Sequence, residues 1–144
     1  VMALPEPEKY HIQIVREYSP VPMMMTDRHQ VLQVLVNLIT NAKNAMVEHS
    51  GGTRRLTLRI GVLSAKAFAQ FEVIDTGIGV KPEHLPRLFA QGFTTRKAGH
   101  GLGLHSAAIV AKKLGGTLHG QSAGEGCGAT FTLELPLVVM EAAA

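Results

Sequence analysis

Cysteine is almost absent. Cys127 stands alone in 144 residues, which excludes an internal disulfide framework and suits a reducing compartment. Charge is also sparse, at 17% of residues, with 14 Lys and Arg against 11 Asp and Glu for a net +3. The basic residues are scattered, their adjacent pairs being Arg54-Arg55, Arg96-Lys97 and Lys112-Lys113. A chain without a clustered basic footprint is poorly equipped for duplexes, so no nucleic-acid partner is expected. No uninterrupted apolar stretch is long enough to span a bilayer, and the N-terminus lacks the charged, apolar and cleavable series of a secretion signal. A soluble chain is the expectation.

Several catalytic signatures are missing as well. There is no Gly-Lys-Ser/Thr phosphate loop, and the glycine clusters lack the spacing of a dinucleotide fingerprint. The seven histidines lack zinc-site spacing; His100 and His105 are five apart and do not share a helix face. Gly120-Gln121-Ser122-Ala123-Gly124 matches a nucleophile elbow in letters only. That elbow needs a helix after the turn and an acid and a histidine later in the chain, whereas a strand follows here and no Asp or His lies beyond Ser122.

What is present is a single globular domain, 46% hydrophobic and long enough to bury a core. Residues 1–9, with two prolines and two glutamates, read as a linker end, residues 10–137 as the domain, and residues 138–144 as a tail. Tyr10 to Tyr18 alternates as an edge strand. Asp27, with Gln30 three positions on, is the N-cap of a long helix whose apolar face is formed by Val31, Leu35, Leu38, Ala42 and Ala45, flanked by Leu32, Ile39 and Met46. Arg55 to Val62 and Ala67 to Ile74 read as antiparallel strands joined through Ser64-Ala65-Lys66. Leu102 to Leu114 reads as a second helix stopped by Gly115-Gly116. Thr117 to Ser122 and Thr130 to Leu135 read as a closing hairpin.

Four places carry chemistry. The polar face of the long helix presents Gln33, Asn37, Asn41, Asn44 and Glu48. Asparagine is a poor helix-interior residue because its amide competes for backbone hydrogen bonds. Such a stripe is either a solvated face or a set of ligands for a metal or an oxygen-rich group, and an amide carbonyl suits a hard cation whose remaining charge is met by phosphates. Asp75-Thr76-Gly77-Ile78-Gly79 ends an apolar strand in glycines. It reads either as a tight turn or as a carboxylate held where backbone can approach a ligand closely. The long connection from Val80 to Gly99 has little regular pattern, and Phe89 and Phe93 need somewhere to dock, which points to a lid. Gly99-His100-Gly101-Leu102-Gly103-Leu104 opens a helix, and glycines at a helix N-terminus leave N–H groups and the positive dipole end facing an anion.

In that order, Asn37-x-x-x-Asn41-Ala42, Asp75-x-Gly77-x-Gly79, Phe89 with Phe93-Thr94-Thr95, Gly99-x-Gly101-x-Gly103-Leu104 and Gly126-x-Gly128-Ala129-Thr130-Phe131 resemble a known series. They are similar to the N, G1, F, G2 and G3 boxes of the catalytic and ATP-binding domain of bacterial sensor histidine kinases. That family lies within the superfamily shared with gyrase, Hsp90 and MutL. The Gly-Phe-Thr-Thr-Arg and Gly-His-Gly-Leu-Gly-Leu-His phrasing is similar to nitrogen-regulation kinases.

The resemblance implies an α+β, Bergerat-type two-layer α/β sandwich: a mixed, mainly antiparallel sheet, helices on one face and a long ATP lid. It implies ATP and Mg²⁺ as cofactors. Asp75 would accept a hydrogen bond from the adenine exocyclic amine, within a turn formed by Gly77, Ile78 and Gly79, and Gly79 and Thr130 would approach the same ring through backbone or water. Asn37 and Asn41 would be the catalytic pair, Asn41 holding the metal. Phe93, Thr94, Thr95, Arg96 and Lys97 would cover the nucleotide, with Arg96 or Lys97 reaching the terminal phosphates. The backbone from Gly99 through His100, Gly101, Leu102 and Gly103 to Leu104 would hold phosphates. Asn44 and Ala45 would complete the nucleotide-binding set, although many family members have a lysine and a bulky residue there, so Asn44 lacks the lysine's charge for a phosphate and Ala45 leaves more open space beside the base.

The family's phosphoacceptor histidine box has no counterpart here. The expected partners are therefore a histidine-bearing dimerisation domain of the same kinase and a response regulator receiver domain. The fragment should be monomeric and the full kinase homodimeric, in the cytoplasm or as the cytoplasmic part of a membrane-anchored sensor. The leading reading is a protein-histidine kinase module. The alternatives are an ATP hydrolase of the gyrase, Hsp90 or MutL type, disfavoured because Asn37 stands where those enzymes place a glutamate base, and a non-catalytic nucleotide-gated interaction module.

Overall fold

The computed structural model describes residues 10–49, 51–63, 67–90 and 103–138. The linker end, residues 91–102, the connection 64–66 and residues 139–144 lie outside them. The long helix, α1 (Arg28–Glu48), starts as its cap predicts: the Asp27 side chain accepts a hydrogen bond from the Gln30 N–H at 3.2 Å. Its buried stripe is Val31, Val34, Leu38, Ala42, Ala45 and Met46. Leu32, expected on that face, is 46% exposed, and Val34 is fully buried in its place. Val34 and Leu38 follow Val31 by about one and two turns, whereas Leu32 is rotated roughly 100° away.

Five strands form one mixed sheet in the order β1-β2-β3-β5-β4, where β1 is Gln13–Tyr18, β2 Arg55–Leu63, β3 Phe68–Asp75, β4 Thr117–Gln121 and β5 Ala129–Pro136. Strand β1 pairs parallel with β2, with α1 as the crossover that a parallel pair requires. All other pairings are antiparallel. The first strand begins at Gln13 rather than Tyr10 because His11, at φ 57°, breaks the extended backbone. Tyr10 instead packs against the core beneath the Lys43 ammonium, 4.9 Å from its ring centroid.

One side of the sheet meets the helices. Along β5, Ala129, Phe131, Leu133 and Leu135 are buried and alternate with half-buried neighbours, the period-2 signature of a sheet with one dry face. The second helix, α2 (Gly103–Lys113), packs on α1, β4 and β5 and contributes the buried Ala107 and Ala111. On the other side a single register row, Glu17, Arg59, Glu72, Thr132 and His119, crosses the whole sheet. Arg59 bridges Glu17 at 2.9 Å and Glu72 at 3.5 Å. The Glu17 hydrogen bond, more than its charge, raises the Arg59 pKa above an already high ordinary value. This pair lies in solvent and adds little stability.

The connection after β3 has more structure than its sequence pattern suggests. Pro82–Arg87 forms a 3-10 segment with a proline in its first turn, where the missing N–H costs nothing. Leu88 then enters the core, and the Phe89 ring meets Phe131 edge-on, with centroids 6.3 Å apart. Phe89 thus finds the dock expected for it.

Leu38 is fully buried at the centre of α1. Leu38→Ala should therefore cost about 2–5 kcal/mol, read as a lower urea midpoint with an unchanged slope. A cost below about 1 kcal/mol would mean that α1 does not anchor the core at this point.

Candidate functional site

The site is built where β3 ends. Asp75 is 4% exposed, and its Oδ1 accepts two backbone hydrogen bonds, from Gly77 N–H at 2.8 Å and from Ala129 N–H at 3.2 Å. Register explains the second, since Asp75 and Ala129 are paired across β3 and β5. A carboxylate removed from water and held this way has its orientation set by backbone rather than by side-chain rotamers.

The turn after Asp75 lies against the end of α1. Ile78 N–H donates to the Ala45 carbonyl at 3.1 Å, and a Cβ on Gly77 would stand 2.5 Å from the Ala45 carbonyl carbon and 2.8 Å from its Cβ. The turn thus packs directly on Ala45, a contact that only a residue without a side chain at position 77 permits. Gly79 adopts φ +71°, and a Cβ there would strike the Gly124 carbonyl oxygen. Gly126 N–H donates to Ile78 O at 2.6 Å and Gly128 N–H to Gly77 O at 3.2 Å, so the β4–β5 hairpin closes directly on the turn.

An open cleft of about 560 Å³ is lined by Asp75, Leu85, Ser122, Cys127, Ala129 and Thr130, among others. That volume suits a small organic ligand. Thr130 borders it but is half-buried between the buried Ala129 and Phe131, so its side chain belongs to the opposite face of the strand from theirs. The residue brought to Asp75 is Ala129, which the sequence did not single out as a site residue. Ser122 was missed too: rejected as a nucleophile, it accepts a hydrogen bond from Val80 N–H at 3.0 Å and lies 2.6 Å from the Gly128 carbonyl.

On the polar face of α1, the Asn37 amide donates to the Gly103 carbonyl at 3.4 Å and so meets the start of α2. Asn41 and Asn44 are half-buried on the same helix. Leu104 packs against the core. His105 Nδ1 lies 3.0 Å from the Phe89 carbonyl; because that oxygen can only accept, Nδ1 carries the proton. Phe93, Thr94, Thr95, Arg96, Lys97, Gly99, His100, Gly101 and Leu102 lie outside the described residues. Among the described residues, no cluster of three His, Cys, Asp or Glu side chains could hold a metal ion. A hard cation here would rely on asparagine carbonyls and on a ligand's own oxygens.

Residues 26–139 match the family described as histidine kinase-, DNA gyrase B- and HSP90-like ATPases. The chain belongs to that family. It is 37% identical over 114 residues to the sensor protein FixL of Bradyrhizobium diazoefficiens, covering 79% of this chain and 22% of FixL. It is 38% identical over 116 residues to the sensory histidine kinase/phosphatase NtrB of Rhizobium meliloti, covering 73% of this chain and 30% of NtrB. The chain thus spans less than a third of the length of these relatives. The structure of full-length ShkA in complex with AMPPNP superposes with a TM-score of 0.80 at 26% identity, over 94% of this chain and 27% of ShkA. The catalytic domain of the histidine kinase ThkA superposes at 0.74 and 24% identity, over 92% of this chain and 84% of ThkA, a likeness of fold. The family and the α+β mixed-sheet fold expected from the sequence are both borne out.

The residues present fit the nucleotide that this ATPase family binds. A buried carboxylate at the cleft wall can accept from an exocyclic amine, and glycines bring backbone close on either side.

Gly77→Ala should destabilise the chain by about 1–3 kcal/mol, because neither α1 nor the turn can yield without breaking the Ile78–Ala45 bond. Gly103→Ala, with none of the described residues within 4 Å of the added carbon, should be neutral or slightly stabilising. Urea unfolding of both variants checks the contrast, and equal midpoints would contradict the packing described.

Proposed function

We propose that this chain is the Mg-ATP-binding catalytic module of a sensor histidine kinase, passing the γ-phosphoryl group of ATP to a histidine on a separate dimerisation domain for relay to a response regulator. The observation that carries the reading is the Asp75 carboxylate, buried in the wall of the cleft with Oδ1 fixed by two backbone N–H groups. ATP would supply the phosphoryl group and Mg²⁺ the charge neutralisation for its transfer.

The chain's own residues do the rest. Asp75 selects adenine by accepting from its amine. Gly77 and Gly79 keep the turn close to the base. Asn41 offers a neutral carbonyl to the cation, with Asn37 beside it holding α2 through Gly103. Leu104 anchors the start of that helix in the core, and the unpaired N–H groups of a helix start would serve the phosphates. Arg96 and Lys97 provide positive charge for the terminal ones.

Asn37 also argues against hydrolysis. An amide cannot take up a proton near neutral pH, so a water molecule placed at the phosphorus would lack its base from this position. The acceptor histidine, nucleophilic in its neutral form, needs no such base from this chain. That NtrB is named a sensory histidine kinase/phosphatase supports the reading.

Calorimetric titration with ATP and Mg²⁺ tests this, run beside Asp75→Asn and Asn41→Ala with ADP production assayed in the same samples. Both substitutions should weaken binding, Asp75→Asn by roughly ten- to a hundred-fold, or about 1.5–3 kcal/mol. Turnover by the chain alone should be negligible, with phosphoryl transfer appearing when a histidine-bearing dimerisation domain is added. Rapid ADP release by the chain on its own would overturn the kinase reading in favour of a hydrolase.

A further inference from the structure

Ser122 follows β4, and its hydroxyl oxygen joins three separate backbone segments at the cleft's edge. It accepts from Val80 N–H at 3.0 Å and from Gly124 N–H at 3.2 Å. It lies 2.6 Å from the Gly128 carbonyl and 3.2 Å from the Gly124 carbonyl. A hydroxyl has one proton and two lone pairs, so the shorter contact takes the proton and the two N–H groups fill the lone pairs. The hydroxyl is fully used.

The three tethered pieces matter by position. Val80 closes the turn that begins at Asp75, Gly124 is the bend of the β4–β5 hairpin, and Gly128 directly precedes Ala129, the residue that donates to Asp75. Asp75, Ser122, Gly128 and Ala129 all line the cleft. The outer link between the same two segments, Lys81 to Glu125 at 3.1 Å, is half or more exposed on both sides and too screened to set a spacing. Beside the Gly126–Ile78 and Gly128–Gly77 backbone bonds, Ser122 is the half-buried side chain that, among the described residues, ties the hairpin to the turn.

We infer that Ser122 is a positioning residue for base selectivity: by fixing the hairpin against the turn it sets the width of the cleft beside Asp75, and with it the preference for adenine. This rests on the Mg-ATP reading and goes beyond it. Guanine presents a carbonyl where adenine presents an amine, so a cleft that holds the base in one pose against a carboxylate rejects it. Without the hydroxyl the hairpin is held to the turn by the Gly126–Ile78 and Gly128–Gly77 backbone bonds alone; the looser spacing would let the base tilt and admit water, and discrimination would fall more than phosphate binding does.

The test is titration of the chain with Mg-ATP and with Mg-GTP for Ser122→Ala, Ser122→Cys and Ser122→Thr beside the wild type, with circular dichroism and a thermal melt on each. Ser122→Ala should reduce the ratio of ATP to GTP affinity about ten-fold, the worth of about one hydrogen bond. Ser122→Thr, which keeps the hydroxyl, should stay within about two-fold, and Ser122→Cys, with longer and weaker bonds, should fall between. An unchanged ratio in Ser122→Ala, whether both affinities hold or fall together, would overturn the inference and leave Ser122 a stability tether. If Ser122→Ala does not fold, the Ser122→Cys ratio decides in the same way. A wild type that binds neither nucleotide would instead defeat the Mg-ATP reading on which the inference stands.

Discussion

The rest of the site depends on one buried oxygen. Asp75 Oδ1 accepts from Gly77 on its own turn and from Ala129 on the neighbouring strand, so a single atom locks the end of β3, the start of β5 and the turn between β3 and the 3-10 segment. Burying a carboxylate at 4% exposure is unfavourable unless donors are aimed at it. The donors here are backbone groups placed by sheet register and by a glycine turn. The cost of the charge is thereby met by the fold itself, and the carboxylate becomes a fixed reference point for whatever enters the cleft.

Helix α1 is the second fixed reference. Its apolar stripe, ending in Ala42, Ala45 and Met46, is pressed into the core, and this determines where its polar stripe points. The tightest contact in the site follows from the same burial. Gly77 can lie on Ala45 because the helix end is held from below, and the Ile78 N–H then satisfies the Ala45 carbonyl at 3.1 Å. That carbonyl belongs to the last turn of α1, just before the chain leaves the helix at His49. Helix termination and site construction are one event.

Much of this was legible in the sequence because it is local. A cap three residues from its donor, a 3.6-residue stripe and an alternating strand are written in neighbouring letters, and Asp27, Leu38 and Phe131 behave as those letters imply. The misses are non-local or marginal. Leu32 and Val34 exchange places because an eight-residue apolar list is wider than the stripe the sheet can cover. The Val80 to Gly99 connection read as having little regular pattern, whereas Pro82 starts a 3-10 segment. Ala129 was overlooked because its contribution is a backbone N–H, which any residue but proline supplies, and only register with Asp75 makes it part of the site. No letter pattern announces such a role.

The construction also explains why so few side-chain types define the end of the cleft beside Asp75. Three of the bonds that close it, Ile78 to Ala45, Gly126 to Ile78 and Gly128 to Gly77, run backbone to backbone. They survive changes at Glu125 and Cys127, whose side chains are exposed, but not the addition of a Cβ at Gly77 or Gly79, where backbone of another segment already fills the space. Side chains enter the framework at the points where two backbones must be held apart by a fixed amount rather than pressed together. Asp75 does this between a turn and a strand, and Ser122 between a turn and a hairpin. Glycines set how close the segments come, and these two polar side chains set how far apart they stay. A cleft specified in both directions can recognise the shape of a flat ligand as well as its hydrogen-bonding pattern.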